Sequence, residues 1–245
     1  MTKQYTSDFY LKRQQQAKIS AEIVLSLLFS KIRPDSVIDF GCATGSWLAE
    51  CKSLGVKIVL GLDGSWVDQK LLEINGEEFK EFDLGSMRYI PKRKYDLSLC
   101  IEVAEHIPED MAKILIESIT EASDVVLFSA AVCGQGGTGH VNEQPQHFWE
   151  CQFSKQGYIC VDLIRPKIWE HEAVNVIYKQ NMLLYVRKSI YDNLNLDVGV
   201  ISTPFDLDRI HPDLFFMRSG SLPASRWGRI IKGLKLIVRG IGFSR

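Results

Sequence analysis

No Cys-x-x-Cys pair occurs among the six cysteines, Cys42, Cys51, Cys100, Cys133, Cys151 and Cys160. Without such a pair, or a His and Cys cluster at ligand spacing, no metal site is expected. The scattered thiols fit a reducing cytoplasm better than a disulfide-stapled secreted fold. No uninterrupted apolar run reaches the roughly 18 residues that a spanning helix needs. The opening Met-Thr-Lys-Gln-Tyr has no apolar secretory core. A strong net charge is missing too. The 29 Lys and Arg balance 30 Asp and Glu to a formal charge of -1, so nucleic acid is not an expected partner of the body. These absences point to a cytoplasmic protein with at most peripheral contact to the inner leaflet of a membrane.

What remains is 245 residues, 46% of them hydrophobic, enough for one well-buried domain and a short appendage. Ile19, Ile23, Leu27 and Leu28 share a helical stripe within 12–32, and Pro34 closes that segment. Short apolar runs follow at 36–40, 56–62, 78–82, 95–101 and 124–130, separated mostly by helix-like stretches or turns. A helix over 146–156 and strands at 158–163 and 181–186 complete the pattern. This alternation predicts an α/β fold, a mostly parallel sheet of seven strands with helices on both faces. The expected division is a main domain over 1–190, an irregular extension over 191–223 and a basic amphipathic helix over 224–245. Residues 187–223 show too little periodicity to assign elements.

The most informative stretch is 37–45, Val-Ile-Asp-Phe-Gly-Cys-Ala-Thr-Gly. An apolar strand there delivers Asp39 to its carboxyl end. Gly41, Ala43 and Gly45 then allow a tight turn and close approach of a ligand to backbone N–H groups at a helix start. Open α/β sheets bind ligands at that edge. A dinucleotide fingerprint, Gly-x-Gly-x-x-Gly, is incomplete, because Ala43 and Ser46 take its second and third glycine places. Asp63 ends the second strand, where a carboxylate can accept from both hydroxyls of a ribose. Asp83 ends the third, within reach of an adenine amino group. The fourth strand runs into Glu-Val-Ala-Glu-His-Ile-Pro, residues 102–108.

This series resembles the class I S-adenosylmethionine-dependent methyltransferases over about residues 36–186, and is similar to those associated with bacterial surface-polysaccharide biosynthesis. The resemblance implies a Rossmann-like fold and S-adenosylmethionine as cofactor, leaving as S-adenosylhomocysteine. It also implies that Asp39, Gly41, Cys42 and Gly45 surround the amino-acid end of the cofactor. Asp63 matches the ribose acid, Asp83 with Leu84 the adenine contact, and Glu102 a position beside the methionine part. Ala43 departs from the commoner glycine of that loop by one methyl group.

Residues 133–149 carry four glycines and a dense polar set that apolar packing does not explain. A long loop after the fifth strand lies over the carboxyl-end crevice, where an acceptor is contacted. Asn142, Glu143, Gln144 and His147 are candidates to read hydroxyl or phosphate-type oxygens, and Trp149 to stack on a ring. Tyr10, with Tyr5 and Phe9, belongs to a segment that closes over the site in similar enzymes or packs between helix and sheet. If the acceptor is a hydroxyl its proton must leave, and imidazole is the side chain that titrates nearest neutrality. His140 is therefore the first candidate base, with Glu105 and His106 next; an acceptor that is already anionic would need none.

From Ser221 onward there are six Lys or Arg and no acid, leaving the first 220 residues with 23 bases against 30 acids. On a helical wheel Trp227, Ile230, Ile231, Leu234, Ile237, Val238 and Ile241 fall within an arc of about 120°. A basic face opposite that arc is the pattern of a helix lying at an anionic membrane surface, or docked on the acidic body or on a second copy. The expected function is O-methylation of a sugar, or of a sugar-linked substituent, during surface-glycan synthesis. The alternative is a non-catalytic, cofactor-binding partner of biosynthetic enzymes docked at a membrane.

Overall fold

The computed structural model describes residues 7–219, with side chains from Ala17 onward. The expectations for Tyr5 and for the basic helix over 224–245 lie outside the described residues, as do those for the side chains of Phe9 and Tyr10. Strands β1 (Ser36–Phe40), β2 (Ile58–Asp63), β3 (Phe79–Glu81), β4 (Leu97–Ile101), β5 (Val125–Ser129), β6 (Tyr158–Val161), β7 (Leu183–Arg187) and β8 (Val200–Ile201) form one sheet in the order β3-β2-β1-β4-β5-β7-β6-β8. Strands β1 to β5 run parallel to one another, whereas β7 runs antiparallel to both β5 and β6. Eight strands replace the expected seven. The additional β8 is a two-residue edge pairing with β6, too short to leave an alternating pattern in the sequence.

The helices are α1 (Ser7–Phe29), α2 (Ser46–Ser53), α3 (Glu109–Ala122), α4 (Gln146–Lys155), α5 (Arg165–Ile168), α6 (Val176–Asn181), α7 (Pro204–Leu207) and α8 (Pro212–Ser219). Alternation along the strands divides the core between the two faces of the sheet. Val37, Leu97, Leu99 and Leu127 join α1, α2 and α5 on one side. Ile38, Phe40, Cys100 and Phe128 join α3 and α4 on the other. Among the described residues no helix is long and apolar enough to cross a membrane.

The buried face of α1 is rotated from the expected stripe. Ala21, Val24, Leu25 and Leu28 are buried, Ile23 and Leu27 only flank the core, and Ile19 is exposed. Both sets satisfy a spacing of three and four, and packing against α2 selects between them. The stretch after 190 is likewise no detached irregular extension over its described part. Arg165, 1% exposed, pairs through Nε and Nη2 with the two oxygens of Asp162, and it also donates to the carbonyls of Asp206 and Leu207. Leu207 is buried in the core beside α4. A buried guanidinium needs all of these acceptors, so this clamp ties the segment to the sheet.

Candidate active site

The chain leaves β1, β2 and β3 on one side, returns to β4 beside β1, and so reverses strand order between β1 and β4. The crevice beyond the carboxyl ends of those two strands is where open α/β sheets bind ligands. Asp39 and Glu102 stand at its floor.

The β1 turn is built for close approach. Gly41 and Gly45 have φ of 85° and 84°. A β-carbon on Gly41 would lie 2.3 Å from Val103 Cγ2 and one on Gly45 2.9 Å from Ile74 Cγ1. Between them Ala43 also takes a left-handed conformation, φ 49°, at a cost of about 1–2 kcal/mol for a residue with a β-carbon. Its N–H donates to Asp63 Oδ2 at 2.8 Å, and the Gly64 N–H donates to Asp63 Oδ1 at 2.7 Å. Hydrogen bonds to a charged acceptor contribute about 1.5–3 kcal/mol, which offsets the strain and locks the turn to β2. The expected role of the loop amides needs correction. Gly41 and Cys42 donate to the Leu62 carbonyl, Gly45 to Cys42 and Ala43 to Asp63, so these N–H groups are spent within the protein. The Cys42 side chain is buried against Gly61. Burial, with the charges of Asp39 and Asp63, pushes its thiol well above the ordinary range.

Asp39 is 2% exposed and its Oδ1 has no hydrogen-bond partner among the described residues. Burial and the neighbouring Asp63 charge raise its pKa to about 7. The folded state thus holds this proton at a pH where the unfolded chain has lost it. Stability is fully present below about pH 4 and falls as pH rises toward 7, by roughly 4 kcal/mol in all. Replacing Asp39→Asn should remove that slope. Urea unfolding between pH 4.5 and 8 will show the wild type losing stability relative to the variant, and parallel curves would reject the assignment.

Asp63 keeps electron pairs beyond its two backbone bonds, as a carboxylate offers about four. Burial raises its pKa against those bonds and a contact from Trp66. Trp66 was not singled out from the sequence. It is 52% exposed, and its ring covers the site of a β-carbon on Gly64. An aromatic residue three positions after Asp63 was the available signal. Asp83 lies two residues beyond β3 and caps its own turn, accepting from the Gly85 N–H and Ser86 Oγ, while Leu84 is buried.

Glu102 sits at the tip of β4 with φ 55°, a strained conformation of the kind that concentrates at functional sites. Asn181 Nδ2 donates to its Oε1 and Gln135 Nε2 to its Oε2, both at 3.0 Å. Asn181 Nδ2 also donates to Gln135 Oε1 at 2.9 Å. Neither amide was found from the sequence; Asn181 is 79 residues away, and no local pattern marks it. Glu105 is 1% exposed, its carboxyl in contact with that of Glu102. Burial and then the Glu102 charge push Glu105 well above the carboxylate range, and burial raises Glu102 against the hydrogen bonds of Asn181, Gln135 and Ser129.

The polar loop folds onto this rim. The N–H groups of Val141 and Asn142 donate to the Glu105 carbonyl. His140 Nδ1 meets Glu143 Oε1 at 2.7 Å, and its Nε2 faces Glu105 Oε1 at 3.9 Å. The His106 ring packs edge-on against that of His140, centroids 4.8 Å apart, with its Nδ1 3.2 Å from the Gly139 carbonyl. The three candidates for catalysis are therefore brought together. The glycines explain how, since a β-carbon on Gly137 would lie 2.2 Å from His140 Nε2.

The acceptor set is only partly retained. Asn142 is buried, its Oδ1 accepting from Gln144 while Nδ2 has no partner among the described residues. Glu143 spends its carboxylate on His140 and on the Gly134 N–H; it orients the loop rather than reading an acceptor. His147 binds Asp208 through both Nδ1 and its backbone N–H, which makes it a tether for the later segment. Trp149 is 0% exposed, packed among Phe128, Phe148 and the α4 face. It is core, not a stacking platform, because the helical turn that follows the loop points it into the sheet.

Buried acids at the switch point, and a turn that a β-carbon would block, fit a ligand carrying a ribose and a positive charge. A family model for the methyltransferase domain matches residues 11–161. In fold the chain is similar to an O-methyltransferase family protein from Burkholderia thailandensis, with a TM-score of 0.53 and 13% identity over 74% of this chain and 57% of that one. It is also similar to magnesium protoporphyrin IX methyltransferase from Synechocystis PCC 6803 with bound S-adenosylhomocysteine, with a TM-score of 0.53 and 18% identity over 77% and 90% of the two chains. Human N-acetylserotonin methyltransferase in complex with S-adenosylmethionine gives a TM-score of 0.50 and 15% identity over 74% and 56%. No curated protein matches the sequence. The acceptors named for the latter two differ widely, whereas the fold is shared. With its family model spanning more than half of its length, the chain belongs to the methyltransferase-domain family, S-adenosylmethionine-dependent enzymes of Rossmann-like fold.

Proposed function

We propose that the protein methylates an oxygen of a small polar acceptor, a sugar hydroxyl or a sugar-linked phosphate-type oxygen on a surface-glycan precursor. The carrying observation is the His140 arrangement, an imidazole held by Glu143 on one nitrogen and turned toward Glu105 with the other. Bound S-adenosylmethionine supplies an electrophilic methyl group on a positive sulfur. The work of this chain is then to hold the acceptor oxygen in line and to take its proton. With Nδ1–H given to Glu143, His140 Nε2 carries the electron pair that accepts this proton. Glu143 stabilises the resulting imidazolium, and the buried Glu105 and the adjoining Glu102 form the wall behind the ring. Asn142 Nδ2 is a donor suited to a second oxygen of the acceptor, which a hydroxyl-rich molecule provides. Asp39, Gly41, Gly45, Asp63, Asp83 and Glu102 hold the cofactor along the ends of β1 to β4.

Label from methyl-tritiated S-adenosylmethionine tests this reading on a panel of nucleotide sugars, sugar phosphates, catechols and amines. Label on a sugar oxygen is expected. Label confined to amines, or cofactor binding with no turnover across the panel, would overturn it, and the second result favours the non-catalytic partner role. If the acceptor is membrane-linked, the basic segment over 224–245 should sediment the full chain with anionic vesicles; a chain truncated at Pro223 that sediments equally removes the membrane part.

A further inference from the structure

We propose that Glu105, His106 and His140 form a divalent-cation site with mixed carboxylate and imidazole ligands, suited to a transition ion such as Mn2+, Fe2+ or Zn2+. One ligand atom from each of the three lies within 4.8 Å of the others. Bonds of about 2.1 Å place two ligands of one octahedral ion roughly 3 Å apart when adjacent and roughly 4.2 Å apart when opposite. The His140 Nε2 to Glu105 Oε1 separation of 3.9 Å falls inside that range, and the longest separation closes by about half an ångström through side-chain rotation. The same 3.9 Å is too long for a proton shared in a hydrogen bond.

The surroundings set up the electron pairs. His140 gives Nδ1–H to Glu143 and His106 gives Nδ1–H to the Gly139 carbonyl, so in each neutral ring the pair sits on Nε2. A ligating histidine whose other nitrogen is fixed by a carboxylate or carbonyl is the recurring outer arrangement of protein metal sites. Glu105 is 1% exposed, its Oε2 has no hydrogen-bond partner among the described residues, and its carboxyl meets that of Glu102. Two carboxyl groups and two ring nitrogens converging at the edge of a crevice, with Gly137 keeping a β-carbon away from His140 Nε2, call for a positive charge. Hard oxygen-only sites suit Mg2+ or Ca2+, whereas two imidazoles shift the preference toward the first-row transition ions. The ligands come from two segments about 35 residues apart, so no local His and Cys spacing marks them in the sequence. A bound ion would take the same Nε2 pair of His140 that serves as base in the function proposed above, so the two roles exclude each other in one turnover; placement of the ion against the acceptor rests on that function, and its uptake does not.

The test is titration of the chelator-treated full chain with Mn2+ alone, followed by the electron paramagnetic resonance signal of the free ion, with Zn2+ competition. One ion per chain is expected. His140→Ala and Glu105→Gln should weaken uptake by about 100-fold, and Glu143→Gln, which only orients His140, by about tenfold. S-adenosylmethionine binding, measured on the same samples, should be retained in His140→Ala, so that loss of the ion is separated from loss of the fold or of the cofactor site. No uptake of Mn2+ or Zn2+ by the wild type overturns the proposal, as does uptake that His140→Ala leaves unchanged. Failure to find a sugar acceptor bears only on the proposed function.

Discussion

Asp63→Ala is expected to weaken S-adenosylmethionine binding by roughly 100- to 10,000-fold in titration calorimetry. Hydrogen bonds to a charged carboxylate are worth about 1.5–3 kcal/mol each, and two ribose hydroxyls on one carboxylate give about 3–6 kcal/mol, with a tenfold change per 1.4 kcal/mol. The loss is enlarged because Asp63 also holds the β1 turn, accepting from the Ala43 and Gly64 N–H groups. Without that acceptor the left-handed Ala43 has no compensation for its strain. Asp63→Asn, which keeps one carbonyl-type oxygen, should fall between the two. An affinity within threefold of wild type in the Ala variant would remove the nucleoside from this strand edge.

The second large effect is on turnover. With an acceptor in hand, His140→Ala should lower kcat by about 100- to 10,000-fold, the usual contribution of a positioned proton acceptor, while cofactor affinity stays within about twofold. The asymmetry follows from geometry. His140 lies on the loop after β5 and faces Glu105, whereas Asp39 and Asp63, the carboxylates proposed to hold the cofactor, lie at β1 and β2. Glu143→Gln keeps an acceptor for Nδ1–H but loses the charge that stabilises imidazolium, so its decrease should be smaller. Added imidazole should partly restore the Ala variant. A variant that keeps a third of wild-type kcat would assign His140 to the structure of the loop alone.

The helix over 146–156 and the first seven strands were legible because each relies on a local pattern. Apolar runs of four to seven residues broken by Gly, Pro or acids predict buried parallel strands, and β1 matches its expected span of 36–40 to the residue. The acids at the strand ends were legible for the same reason: Asp39 and Asp63 follow directly from where β1 and β2 stop. The α1 face was not, since Ile19 and Ala21 both belong to plausible stripes and only the docking surface of α2 distinguishes them. Trp149 was misread because its polar neighbours in sequence are not its neighbours in space.

Composition and local order were enough to determine the alternation of strand and helix, the edge of the sheet at which the acids gather, and the residue types on the loop over 133–149. Each of these depends on residues within a few positions of one another, whose spacing a chain carries with it before it folds. Which of those polar side chains meet was decided only by the tertiary structure. Glu105 reaches His140 across 35 residues and Glu102 reaches Asn181 across 79, through the return of the chain to β4 and the antiparallel insertion of β7. Hydrogen bonds and charge pairs act over a few ångströms, so a contact between distant segments exists only once packing has brought them together.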